Sequence, residues 1–140
     1  MLFKIKKVHP KAKTPKYALP GDAGMDLFAV ENQTIGLKEV VDIRTGFEIE
    51  LPPGTVGLIW DKGSTAHKGL KIMGGVFDEN YRGELIVIAH NVGAQEYIIE
   101  EGDKIGQLLI QKIEHPKIMV VDKLSDTNRD KGRVGSTGNK

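Results

Sequence analysis

The sequence predicts an all-β fold in a single domain, and three observations carry that reading. Seventeen glycines and six prolines cut the chain into short pieces, many of those pieces alternate apolar with polar residues, and only Ser64–Lys68 resembles a helical turn. Strands are expected at 2–8 (LFKIKKV), 39–51 (EVVDIRTGFEIEL), 54–60 (GTVGLIW), 83–92 (GELIVIAHNV), 96–100 (EYIIE) and 104–113 (KIGQLLIQKI). In the last, Ile105, Leu108, Ile110 and Ile113 keep up a partial alternation. Leu85–Ile88 is apolar without a break and is expected to be buried on both faces. Regular strand and turn spacing points to a sandwich, a jelly roll or a barrel, and the pattern leaves the three open.

A chain of 140 residues suits one core and buries roughly two-thirds of its unfolded surface. It has no cysteine, which removes disulfides, thiolate metal sites and a cysteine nucleophile. Twenty basic against nineteen acidic residues leave a net charge of +1, so no global field favours nucleic acid or an anionic membrane, and anion binding must be local. The N-terminal MLFKIKKVHP lacks the apolar stretch of a leader, and no apolar run approaches the ~20 residues of a span. A soluble cytoplasmic protein is expected, in the host-cell cytoplasm if the source is viral. His9, His67, His90 and His115 share no metal-like spacing and receive no role.

From Ser125 the composition changes: SDTNRDKGRVGSTGNK holds one apolar residue, Val134, and cannot add a strand to a core. The expected organisation is a β core over 1–124 and a mobile arm over 125–140. Such a tail is either a frayed terminus or an anion clamp. Arg129, Gly132, Gly135, Ser136, Thr137 and Gly138 offer a guanidinium, hydroxyls and accessible backbone N–H groups, the chemistry of a phosphate nest.

The segment Gly74–Asn91 places two glycines before an apolar pair, then Asp78, Tyr81 and Arg82-Gly83, and reads as a β-hairpin with polar groups at its turn. Here the chain resembles the dUTPase family, whose third motif, Gly-Val-(Ile/Phe)-Asp-x-(Asp/Asn)-Tyr-Arg-Gly, is matched without a gap by Gly75–Gly83. The other motifs follow in order: Ala23–Leu27 first, Lys62–Gly69 second, Gly102–Gln107 fourth and Arg129–Gly138 fifth. The resemblance implies a jelly-roll or barrel-like β fold with one short helix, and a homotrimer in which three chains build each site. The second and fourth motifs would come from one chain, the third from another, and the fifth as an arm from the remaining one. The implied activity is hydrolysis of dUTP at the α-phosphorus to dUMP and diphosphate with Mg²⁺. It would limit uracil incorporation into DNA and supply dUMP for dTMP synthesis.

That chemistry needs a positioned water, a base, and donors on the phosphate oxygens. The resemblance gives Asp78 the base's role; without it, an aspartate here would be read as bonding its own turn. Tyr81 would lie under the deoxyribose and leave no room for a 2′-hydroxyl. Backbone groups of the hairpin, at Gly75 and Val76, would read uracil, because cytosine reverses the donor and acceptor and leaves buried groups unpaired. Lys62, Gly63 and Ser64 would hold the α- and β-phosphates, Gln107 a water or α-phosphate oxygen, and Asp26 the waters on Mg²⁺. Arg129, Arg133, Val134, Gly135, Ser136 and Thr137 would close over the base and γ-phosphate.

Two positions depart from the family pattern. Lys62-Gly63 stands where the family has Arg-Ser, so the cation is a point charge and a hydroxyl is lost. Val134 stands where a phenylalanine stacks on uracil; a smaller apolar contact or the Arg133 guanidinium plane would replace it, with a raised KM that Val134→Phe would lower. Two other functions compete. A dCTP deaminase shares the fold but needs a glutamate where this chain has Ile88, and it lacks the tyrosine found here at 81. A regulatory nucleotide-binding protein would have kept the fold and lost turnover.

Overall fold

Alternation that buries every second side chain builds most of this protein, and a computed structural model describes it for residues 1–129, Lys131 and Gly138. The element order is β1 (Lys4–Lys7), β2 (Met25–Phe28), β3 (Gln33–Ile35), β4 (Val40–Glu50), β5 (Thr55–Trp60), α1 (Gly63–Ala66), β6 (Leu70–Met73), β7 (Val76–Phe77), β8 (Glu84–Asn91), β9 (Tyr97–Ile99) and β10 (Lys104–Lys112). Two four-stranded sheets, ordered β1-β4-β8-β6 and β2-β10-β5-β7, and a β3-β9 ribbon are antiparallel throughout. One apolar cluster joins them, with Leu27, Ile35, Ile43, Ile59, Leu70, Leu85, Val87, Ile99 and Leu108 in it. The all-β expectation holds, and α1 falls where the short helical turn is expected. No helix among the described residues is long and apolar enough to cross a membrane.

The strands at 2–8, 39–51, 54–60, 83–92, 96–100 and 104–113 appear as β1, β4, β5, β8, β9 and β10. β2, β3, β6 and β7 are additional. β2 escaped the sequence reading because Met25–Phe28 is buried at every position and so does not alternate.

One expectation is corrected. Leu85–Ile88 is not buried on both faces: Leu85 and Val87 are inaccessible, whereas Ile86 and Ile88 are half-buried. Their face of the sheet looks onto a surface cleft instead of a second layer. β10 ends at Lys112, Ile113 gives one last bond to Gly54, and 114–124 is exposed throughout without a strand. Ile118 and Val120 are 95% and 96% exposed, since Pro116 and the following apolar run find no partner strand among the described residues.

Candidate functional site

The hairpin of β6 and β8 is open at its turn end. The two strands pair from Leu70↔Asn91 to Met73↔Ile88. Gly74 then takes a left-handed φ of 56°, and the chain leaves its partner. Val76 and Phe77 pair with Leu58 and Gly57 of the other sheet, so the hairpin's own sides separate. Gly75 permits this crossing: its carbonyl accepts the Ile59 N–H at 2.7 Å, and a Cβ there would stand 2.4 Å from the Ile59 carbonyl oxygen.

The separation leaves a cleft of about 270 Å³ lined by Asp42, Gly74, Val76, Phe77, Asp78, Tyr81, Ile86 and Ile88. Tyr81 is fixed in it twice. Its hydroxyl donates to the Glu84 carbonyl at 2.7 Å, and its ring meets Phe77 edge to face at 5.3 Å. Gly83 makes the seat possible, because a Cβ there would stand 2.6 Å from the Tyr81 hydroxyl. The turn closes with the Tyr81 N–H on the Asp78 carbonyl, while Arg82 donates to the Glu79 and Tyr81 carbonyls. The Asp78 carboxylate joins none of these bonds, so among the described residues it is not spent on holding its own turn.

A second constellation lies where β2, β10 and β5 run side by side. Their register sets Asp26, Gln107 and Trp60 abreast. Asp26 is 2% exposed and takes the Lys62 ammonium on Oδ1 at 2.5 Å; Lys104 Nζ stands 2.8 Å from Oδ2, off the hydrogen-bonding direction. Burial pushes the Asp26 carboxyl up, but the two ammonium groups beside it, Lys104 and Lys62, outweigh it and hold the group below the usual carboxylate range. Gln107 Nε2 donates to the Asp61 carbonyl at 2.8 Å, and Gly24 is needed beneath it, since a Cβ there would lie 2.5 Å from Gln107 Oε1. Asp61 in turn accepts Lys71 Nζ and the Ile72 N–H, each at 2.6 Å. Ser64 and Lys104 open onto a neighbouring cavity of about 530 Å³, shared with Thr65, Lys68, Tyr97 and Asp103. Burial, with the Asp103 charge behind it, raises the Tyr97 phenol.

The structure thus gathers Asp26, Lys62 and Gln107 at one place and Val76, Asp78 and Tyr81 at another, and a shallow cleft from Trp60 and Asp61 to Gly75 and Val76 runs between them. Gly63 opens α1 with nothing within 4 Å of an added Cβ. Arg129 is described; Arg133, Val134, Gly135, Ser136 and Thr137 lie outside the described residues. Lys104, Asp61, Phe77 and Gly24 were not foreseen as site residues. Lys104 sat inside a quoted motif, and its distance from Lys62 in sequence hid their common partner.

Mg²⁺ fits Asp26 only at a remove. One carboxylate facing two ammonium groups cannot cage a hard dication, and no group of three His, Asp or Glu side chains among the described residues could.

A β fold with an aromatic-walled cleft, an uncommitted carboxylate on its rim and a second, polar pocket of mixed charge offers room for a small ligand with a flat ring. The chain belongs to the dUTPase family, whose model matches residues 10–138. It is 43% identical over 139 residues to the deoxyuridine 5′-triphosphate nucleotidohydrolase of Alkaliphilus metalliredigens, covering 97% of this chain and 96% of that one. The enzyme of the same name from Paramecium bursaria Chlorella virus 1 is 39% identical over 135 residues, at 96% of each chain. Among solved structures, the dUTPase of Staphylococcus bacteriophage 80alpha with dUPNHPP superposes with a TM-score of 0.92 at 25% identity, over 98% of both chains. A phage phi11 dUTPase with a structural Mg(II) ion shares the fold, with a TM-score of 0.82 at 24% identity over 90% of this chain and all of that one.

Proposed function

We propose that this chain hydrolyses dUTP at the α-phosphorus, giving dUMP and diphosphate, with Asp78 as the base that orients and deprotonates the attacking water. The observation that carries this reading is the Asp78 carboxylate, on the rim of a cleft whose wall is Tyr81 and left unbonded by its own turn. Tyr81, held by Phe77 and the Glu84 carbonyl, is placed to pack against the sugar and exclude a 2′-hydroxyl. Main-chain groups at Gly74 to Val76 are offered to uracil, although the Gly75 carbonyl is already taken by Ile59. Lys62, Ser64 and Gln107 receive the phosphates and the water beside them, and Arg129 with the arm beyond it closes the site.

Asp26 would hold Mg²⁺ through a water, and the ion would neutralise charge on the triphosphate oxygens. The catalytic test is diphosphate release from dUTP and Mg²⁺. Asp78→Asn is expected to lower kcat by about 10²–10⁴-fold, the range for removing a general base. Unchanged turnover in that variant would sink the assignment. Deamination is disfavoured because Ile88, apolar and in the cleft, stands where that chemistry needs a glutamate. Ammonia release from dCTP would reverse this.

We further infer a homotrimer whose sites are shared between chains. An apolar run over Ile118–Val121, exposed on its own chain, supports it. Sedimentation of an active monomer would refute the sharing.

A further inference from the structure

Asp26 is the one buried carboxylate among the described residues, and two cations stand on its single charge. One ammonium is enough to neutralise a buried carboxylate; the second is surplus while the triphosphate is away. The two lysines differ in how they are held. Lys62 caps α1 from an extended residue, with no side-chain cap of its own, and Gly63 follows in open space. Lys104 opens β10, with its backbone paired to Phe28.

We propose that Lys104 is a positioning residue: it is the counter-ion that remains beside Asp26 Oδ2, and its presence lets Lys62 pass from Asp26 to the triphosphate. The proposal rests on the reading of Lys62 as a phosphate contact. If Lys62 were the sole partner of Asp26, its departure would strand a carboxylate that is 2% exposed, and breaking such a buried pair is strongly unfavourable. With Lys104 in place, Asp26 keeps a cation and Lys62 is exchanged at little cost. The released Oδ1 then becomes an acceptor for water in the bound state.

This exchange makes an unusual prediction for binding. Substituting Lys104 should weaken triphosphate binding only while Lys62 is present to leave and Asp26 is charged. The experiment measures calorimetric Kd values for a dUTP analogue with nitrogen in place of the oxygen bridging the α- and β-phosphates. It uses the full-length protein and a chelator, so that no metal contributes. Lys62→Met is expected to weaken binding at least ~10-fold, and Lys104→Met also ~10-fold, the usual size of a coupled pair. Lys104→Arg, which restores a cation, should bind as the parent does. In the Lys62→Met background Lys104→Met should add nothing. Because that double variant leaves Asp26 unpaired and can unfold, the same comparison is made in Asp26→Asn, where Lys104→Met should again add nothing.

Equal losses from Lys104→Met in every background would make Lys104 a direct phosphate contact and overturn the proposal. No loss in any background would overturn it as well. Unchanged binding in Lys62→Met would instead remove the underlying reading of Lys62, a result separable from the other two.

Discussion

Asp61 shows how one side chain can tie a site to its scaffold. Its two oxygens hold Lys71 and the Ile72 amide of β6, and its carbonyl holds Gln107 of β10. Burial pushes its carboxyl up, yet the Lys71 and Ile72 hydrogen bonds outweigh that and keep it below the ordinary range. A depressed folded value contributes stability that is complete above the unfolded value of about 3.9 and is lost as pH falls through the lower folded one. Asp61→Asn is therefore expected to cost about 1–2 kcal/mol at pH 7, the worth of charge-assisted bonds. The gap from the parent should shrink as acid titrates the folded carboxyl, below the unfolded value of about 3.9. Urea unfolding at pH 7 and in that acid range checks this, and an equal gap at each would refute the electrostatic account. Neither Asp61 nor Lys104 was legible in the sequence as a site residue. Asp78, Tyr81 and Lys62 were legible because their chemistry sits in contiguous motifs, whereas an ion pair such as Lys104 with Asp26 exists only once β10 lies against β2.

At the scale of elements, the site depends on β7 crossing to β5 and on α1 following β5 closely. The hairpin itself was readable from its glycines and alternation, but its opening was not. Nothing in Gly74–Phe77 says which sheet the two strand residues join; the contact of Gly75 with Ile59 decides it. Gly75→Ala should push the two backbones apart and lose that bond, at about 1–3 kcal/mol for overpacking. It should also impair dUTP binding, since Val76 and Asp78 would shift with β7. Thermal unfolding and KM read the two effects, and an unperturbed Tm would show that β7 is not held this way. Gly63 makes the opposite case. A side chain there meets nothing within 4 Å, so Gly63→Ser should be neutral in stability, within about 0.5 kcal/mol, and should raise kcat/KM by supplying a hydroxyl to the phosphates. Unchanged kinetics would mean that the family's hydroxyl is dispensable in this chain.

For the whole molecule, the last strand among the described residues ends at Lys112. Ile118, Met119, Val120 and Leu124 are as apolar as core residues but stand exposed on this chain, as expected of a surface that the proposed trimer would cover. The proposed sharing of sites between chains permits a decisive mixing experiment. Asp78→Asn spoils the cleft half, and Lys62→Met spoils the phosphate half. If each site takes its cleft from one chain and its phosphate pocket from another, unfolding and reassembling the two inactive proteins together creates some sites with both halves intact. Random assembly of equal amounts in a closed ring makes about a quarter of the sites whole, so activity should recover to about a quarter of the parent's. If both halves of a site belong to one chain, every site in the mixture keeps one lesion. Activity then stays at the sum of the separate variants, and the shared-site arrangement fails.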